Sequence, residues 1–229
     1  MMSGLIPGPQ QPKNDIDTYF RPLIEDLKEL WHNDGVQVWH EHKREYFGLK
    51  AILFVTVSDS PAGCNLSGQS KKVGCGCPYY FREIDSQYLS ESRKIVYMGH
   101  RCYISMKRLF WSMKDQFNGN TERRRSPLHL TGHEVYEIVK DVHVVLGKWK
   151  RTGKNIEKDD MWKKQSIFWE LPYWKDLDVH HLIDVMHVEK NVCESLLGTL
   201  LNTDGKTRDH GHARADLKKI RIRSELWLD

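Results

Sequence analysis

The sequence predicts an α/β protein, because a strongly apolar strand lies between two amphipathic helices. Residues 51–57 form a continuous β-branched and aromatic run, the pattern of a strand buried on both faces. Apolar residues recur at helical spacing over residues 16–31 and again over residues 182–201. Helices and a buried strand in one chain are typical of the α/β class.

Local signals set the ends of these elements. Asn14 and Asp15 can cap the first helix, and residues 33–35 (NDG) close it after Trp31. The strand stops at residues 58–61 (SDSP), which places Asp59 just beyond its carboxyl end. A basic, polar tail beyond Gly205 predicts one further helix.

The middle of the chain has a different character. From residue 63 to residue 165 Gly, Ser, Lys and Arg are frequent and periodicity is poor, apart from a short helical stretch over residues 131–146. We therefore divide the chain into a front part (1–62), an insertion (63–165) and a C-terminal helical part with the basic tail (166–229).

Composition limits the classes of protein to which the chain can belong. Its 229 residues are 39% hydrophobic, enough for a packed core, and the net charge of +4 gives only weak support for a nucleic-acid partner. No stretch approaches the roughly 20 apolar residues of a membrane helix, so we expect no membrane partner. Five Cys, an odd count without a secretory signal, favour free thiols or metal ligands in a reducing compartment.

Two acids stand where packing would prefer apolar or neutral groups. Asp59 follows the apolar strand, and Glu189 lies on the apolar stripe of the last predicted helix. A buried carboxylate is costly unless it is paired or binds a cation, and Mg²⁺ or Mn²⁺ takes carboxylate oxygens. Two purely structural interpretations remain open. In them Asp59 is a turn or cap residue, and Glu189 is a partly solvated helix residue.

Two other groups of residues have weaker signals. Cys75 and Cys77, followed by His100, invite a zinc site, but the Cys-x-x-Cys spacing is absent, so unpaired thiols are the favoured interpretation. A basic set interleaved with tryptophans suits phosphates and stacked bases, although a solvated loop face explains it as well. The members proposed to contact DNA are Arg123, Arg124, Arg125, Lys163 and Lys164.

Several blocks along nearly the whole chain, in order, resemble those of plant CACTA-type (En/Spm) DNA transposases. The opening blocks are residues 5–9 (LIPGP), 14–17 (NDID), 21–27 (RPLIEDL), 30–31 (LW), 59–62 (DSPA) and 65–68 (NLSG). Later blocks are residues 97–101 (YMGHR), 130–132 (LTG), 171–174 (LPYW) and above all 183–192 (IDVMHVEKNV).

The resemblance implies a partial ribonuclease-H-like core with a long mixed insertion, in which the N-terminal strands are missing. By it, Asp59 matches the second and Glu189 the third of three catalytic acids of the DDE/D type, while the first acid would lie upstream. Intact relatives would cut transposon ends and join them to target DNA with Mg²⁺ or Mn²⁺. The resemblance also implies nuclear DNA as the partner, and self-association is a further expectation.

Departures from the family pattern shape the remaining expectations. Cys77 and His100 match family zinc-ligand positions, but Tyr80 stands where a second Cys is expected, and Ser60 replaces a common Phe. With two of the three acids, the chain is expected to be a fragment that performs no strand transfer alone. The alternatives are a non-catalytic DNA-binding or protein-interaction module and a zinc-stabilised structural domain.

Overall fold

A computed structural model describes residues 15–70, 84–142 and 161–228, together with residues 8, 12 and 80. Over these residues the protein is mixed α/β, with five α-helices and three two-stranded sheets. The chain divides into two compact units. Unit 1 comprises residues 1–71 and 130–183, and unit 2 comprises residues 72–129 and 184–229. The described part of the expected insertion, 63–165, is therefore shared between the units.

The described residues contain five α-helices and six strands, numbered in chain order. The helices are α1 (Ile16–Trp31), α2 (Ser60–Ser67), α3 (Gly132–Val139), α4 (Val185–Leu200) and α5 (Gly211–Ile220). The strands are β1 (Val36–His40), β2 (Glu45–Leu49), β3 (Thr56–Ser58), β4 (Ser86–Leu89), β5 (Lys94–Tyr97) and β6 (His181–Ile183).

The core of unit 1 forms where α1 packs against two short 3₁₀ turns, Ile167–Glu170 and Trp174–Asp176. The apolar stripe of α1 buries Ile24 and Leu27 against this segment, as its helical periodicity predicts. The aromatic rings of Phe168 and Trp174 stack with centroids 5.2 Å apart. Stacked and tilted aromatic pairs add specific geometry to the apolar burial, which holds these irregular turns in place.

Helix α1 spans Ile16–Trp31, so the predicted helix is confirmed with its closing turn at Gly35, where φ is 64°. Helix α3 starts after Thr131, whose side chain accepts a hydrogen bond from the Glu134 amide in a capping box. The further helix predicted in the tail is also present, as α5.

The predicted strand over residues 51–57 is shorter and less buried than expected. Only Thr56–Ser58 forms β3, and Ile52, Phe54 and Val57 are 45%, 62% and 61% exposed. A strand buried on both faces needs a covering layer on each side. Unit 1 covers one side of this segment, so the expectation of burial on both faces was wrong.

Unit 2 is built from the β4–β5 hairpin, α4 and α5. The α5 residue Asp216 is buried and accepts hydrogen bonds from the Glu91 and Ser92 amides of the hairpin turn, at 3.0 and 2.8 Å. Lys219 adds an ion pair to Glu91 at 2.5 Å. These contacts fasten α5 to the turn. Within the described part of the chain, no helix is long and apolar enough to cross a membrane.

Candidate functional site at the ends of two parallel strands

Strands β3 and β6 pair in parallel, with Thr56 opposite His181 and Ser58 opposite Ile183. These strands are 125 residues apart in sequence, so the pairing links distant segments of the chain. Parallel strands end at the same edge of their sheet. In α/β sheets this carboxyl edge is where functional side chains gather.

Asp59 is the residue that immediately follows β3. Its backbone is extended (φ −66°, ψ 163°), and its Oδ1 accepts a hydrogen bond from the Ala62 amide at 2.8 Å, which caps α2. The reading of Asp59 as a cap residue is therefore confirmed. The cap also fixes the direction of the carboxylate. Its Oδ2 has no hydrogen-bond partner among the residues that the structure describes.

Asp184 has the same role after β6. It follows Ile183, is extended, and its carboxylate accepts a hydrogen bond from the His187 amide at 3.3 Å, which caps α4. Our reading of the sequence did not single out this residue as a candidate. The signal was present, since an Asp directly after the apolar pair Leu182–Ile183 and directly before a helical run is an N-cap pattern. Asp59 and Asp184 are thus equivalent strand-end caps.

Glu189 lies in the second turn of α4 and is solvent-exposed. The stripe on which it was predicted is exposed too: Met186, Leu196 and Leu200 are 77%, 57% and 71% exposed. The opposite side of the helix faces its own unit, where buried Gly198 lies so close to Lys206 that a Cβ there would sit 3.0 Å from the Lys206 carbonyl oxygen. The expectation that Glu189 points inward is corrected: its carboxylate is open to solvent, without a partner in the described residues.

One comparison with known proteins identifies the family. The family model described as "Transposase family tnp2" matches residues 1–142, more than half of the chain. The chain belongs to this transposase family. The match covers α1, β3, Asp59 and α2, and it ends before β6 and α4. No curated protein and no solved structure matches the chain.

In this tnp2-family chain the basic residues predicted to contact DNA have different surroundings. Lys164 is buried and ion-paired to Asp17 at 2.5 Å, so its ammonium belongs to the interior of unit 1 and does not face a nucleic acid. Lys163 is half-buried beside it. Arg123, Arg124 and Arg125 are exposed, although Arg124 is engaged by Glu122 and Asp85.

The predicted zinc ligands do not form a centre in the described part of the tnp2-family chain. His100 is exposed at the start of a 3₁₀ turn, and Cys75 and Cys77 lie outside the described residues. Within the described residues, Cys64, Cys102 and Cys193 are not in disulfide bonds. Among the described residues no group of three or more His, Cys, Asp or Glu side chains is arranged to hold a metal ion.

Two histidines at the beginning of β6 have structural partners. The Thr56 hydroxyl and His181 Nδ1 share a hydrogen bond at 2.6 Å, and His180 Nε2 donates to the Trp174 carbonyl at 2.8 Å. Burial, together with neighbouring His180, lowers the pKa of His181 to about 3. His181 is therefore neutral at physiological pH. Its hydrogen bond with the Thr56 side chain links β6 to β3 in addition to the backbone pairing.

Proposed function

We propose that this chain supplies part of the catalytic core of a CACTA-type (En/Spm) DNA transposase from a plant element, with a ribonuclease-H-like order of strands. Asp59 and Glu189 would be the second and third acids of its DDE/D set. The observation that carries the proposal is the parallel register of Ser58 with Ile183. Because Ser58 and Ile183 are paired, Asp59 and Asp184 are the residues that directly follow the two strands. Membership of the tnp2 family supports the transposase ancestry.

The free carboxylate oxygens fit a hard divalent cation. Asp59 Oδ2 and the Glu189 carboxylate are without partners in the described residues, and such oxygens are the donors that Mg²⁺ and Mn²⁺ prefer. When bound in a nucleotidyl-transfer site, these ions activate an attacking oxygen and stabilise the leaving oxygen.

The chain's own contribution is to position the acids. The Ala62 amide donates a hydrogen bond to Asp59 Oδ1 at 2.8 Å. This bond orients the carboxylate, while Oδ2 has no hydrogen-bond partner within the described residues. The Asp184 cap fixes the first turn of α4, and Glu189 follows one turn later on the same rigid element. Asp59 is therefore oriented by a backbone hydrogen bond, whereas the backbone of α4 sets the position of Glu189 and leaves its side chain exposed.

By the resemblance, these 229 residues contain two of three acids. Losing one ligand of a metal-dependent site removes most of its rate enhancement. We propose that the 229 residues alone perform no strand transfer, and that a third acid from outside them completes the site. The nucleus would be the place of action and transposon ends the DNA.

A second candidate is a non-catalytic DNA-binding module derived from a transposase. The exposure of Glu189 and the capping role of Asp59 favour it, because both residues then have ordinary structural roles. This candidate requires that DNA affinity be unchanged in Asp59→Asn and Glu189→Gln and that neither variant affect metal binding.

Mn²⁺ titration followed by electron paramagnetic resonance separates the two candidates. The catalytic proposal expects the chain to bind Mn²⁺, with affinity reduced at least about tenfold by either Asp59→Asn or Glu189→Gln. Asp184→Asn is the matched control, since an Asn can still cap α4. Equal Mn²⁺ binding by the wild type and both variants would refute the assignment of these acids.

A further inference from the structure

The positive charge of the chain is concentrated in one segment of unit 2. Residues 100–128 contain seven Arg or Lys and two Asp or Glu, a net charge of +5, whereas the whole chain carries +4. The remaining residues are thus slightly acidic in sum. The small net charge of the whole chain therefore includes a strongly basic segment, residues 100–128.

A buried arginine organises this segment. The Arg101 side chain is 6% exposed, and its guanidinium lies 4.4 Å from the Phe117 ring centroid. It has no carboxylate partner among the described residues and donates to neutral oxygens alone, so its charge is not cancelled. The acceptors are the carbonyls of Phe110 (3.3 Å), Met113 (2.6 Å) and Asn120 (2.9 Å) and the Asn118 side chain (2.9 Å).

These bonds hold residues 110–113 and residues 118–120 around the Arg101 guanidinium. The Glu122 amide also donates to the Trp111 carbonyl at 3.0 Å, which links the chain after residue 120 to the first of these stretches. The Trp111 side chain is buried and donates to the Ile104 carbonyl at 3.2 Å. We call residues 104–125 the Arg101 loop. Its shape is set by buried polar contacts, so its exposed side chains stand on a fixed frame.

The loop carries two acids, of which Glu122 is neutralised and Asp115 is exposed, whereas most of its cations are exposed and unpaired within the described residues. Glu122 is buried and bonded to Arg124, which also binds Asp85. Other cations on the loop are exposed and have no ion-pair partner in the part of the chain that the structure describes. They are Lys107, Arg108, Lys114, Arg123 and Arg125.

We infer that the Arg101 loop is a docking surface for the phosphate backbone of duplex DNA. Five unpaired cations on a preformed frame match a polyanion, because each phosphate neutralised releases condensed counterions. Exposed Phe110, 47% accessible, adds an apolar contact among the charges. The choice of DNA as the polyanion rests on the proposed function, while the site itself is separate from Asp59 and Glu189.

The test compares the triple variant Arg108→Gln/Lys114→Gln/Arg123→Gln with a control of equal charge loss, Arg44→Gln/Lys50→Gln/Lys175→Gln. The control residues are exposed in unit 1 and have no ion pair in the described residues. Binding of the full chain to two 30-bp duplexes of unrelated sequence is followed by fluorescence anisotropy at several NaCl concentrations. Circular dichroism confirms that both variants are folded.

We expect both duplexes to bind alike and the slope of log K against log [NaCl] to become shallower by about 2 to 3 in the triple variant, since each phosphate contact contributes about 0.9. The control should keep the wild-type slope. Acetylation of Lys107 and Lys114, read by mass spectrometry, should fall when DNA is bound. An unchanged slope in the triple variant, an equal loss in the control, or unprotected lysines would overturn the inference. This test is read by DNA binding of the loop variants, whereas the catalytic proposal is read by Mn²⁺ binding of the Asp59 and Glu189 variants, so failure of one is separable from failure of the other.

Discussion

Lys164 donates a hydrogen bond to Asp17 at 2.5 Å inside unit 1, where its side chain is 2% exposed and that of Asp17 is 15% exposed. The pair joins α1 to a segment 147 residues further along the chain. Burial raises the pKa of Asp17, and the Lys164 ammonium offsets this only in part. Each of these two charged groups offsets part of the cost of burying the other.

Removing one of these two groups should destabilise the fold. We predict that Asp17→Ala lowers the free energy of unfolding by about 3 kcal/mol, since it leaves a buried ammonium with its ion-pair acid gone. Urea denaturation followed by circular dichroism measures the change. The control is Glu170→Gln, which breaks exposed pairs with Arg21 and Lys28 and should cost less than about 1 kcal/mol. Equal effects of the two substitutions would contradict the burial argument.

His181 should make stability depend on pH. Its folded pKa of about 3 lies below the unfolded value near 6.5, so its neutral form stabilises the fold fully above about pH 6.5. As pH falls below that value the unfolded state takes up a proton, and stability falls by about 1.4 kcal/mol per pH unit. Urea midpoints between pH 7 and pH 5 should show this slope in the wild type and lose it in His181→Gln. Exposed His133, paired to Asp176, provides the control variant His133→Gln, which should retain the slope.

Glu122 should titrate at low pH. Its hydrogen bond from Arg124, with further bonds from the Arg124 and Arg123 amides, outweighs burial and lowers its pKa to about 2. The stabilisation is therefore complete above about pH 4.5 and is lost as pH falls toward 2. Carboxyl carbon shifts in NMR should give a midpoint near 2 that moves upward in Arg124→Met. A Glu122 midpoint near 4.5 in the wild type would show that the Arg124 contact is not formed.

The contact of α5 with the β4–β5 turn gives a local prediction. Asp216→Asn should speed hydrogen exchange of the Glu91 and Ser92 amides at least about tenfold, because the charged acceptor of both is lost. The control is Asp209→Asn, which removes the exposed ion pair that Asp209 forms with Arg214 near the start of α5. Unchanged exchange at Glu91 and Ser92 would mean that the turn is held by other contacts.

Sequence reasoning worked best where the signal was local. The span of α1, with its apolar period and Gly35 terminus, was predicted, although the Asp15 side chain makes no capping hydrogen bond and Asn14 lies outside the described residues. The cap role of Asp59 was one of the two interpretations of its turn. The hairpins β1–β2 and β4–β5 were missed, as was β6, which takes up Leu182 and Ile183 from the predicted helix. Strand pairing depends on distant partners, which a single sequence does not reveal.

Burial was the harder property to predict. Glu189 was placed on an inward face because an apolar stripe usually packs, yet α4 packs with its Gly198 side. Lys164 was placed on a DNA surface because it is basic, yet Asp17 draws it into the interior. In both cases periodicity and charge can be read from the local sequence, whereas burial depends on which other segments pack against the residue.

The central proposal is that Asp59 and Glu189 are metal-binding acids, and iron-mediated cleavage tests it most directly. With Fe²⁺ and ascorbate in place of Mg²⁺, hydroxyl radicals cut the backbone next to a bound metal, and mass spectrometry locates the cuts. We predict cuts near residue 59 and near residue 189, each suppressed by excess Mg²⁺ and by substitution of the nearby acid, Asp59→Asn or Glu189→Gln. Cuts near one acid alone, or cuts that persist in the variants, would contradict it.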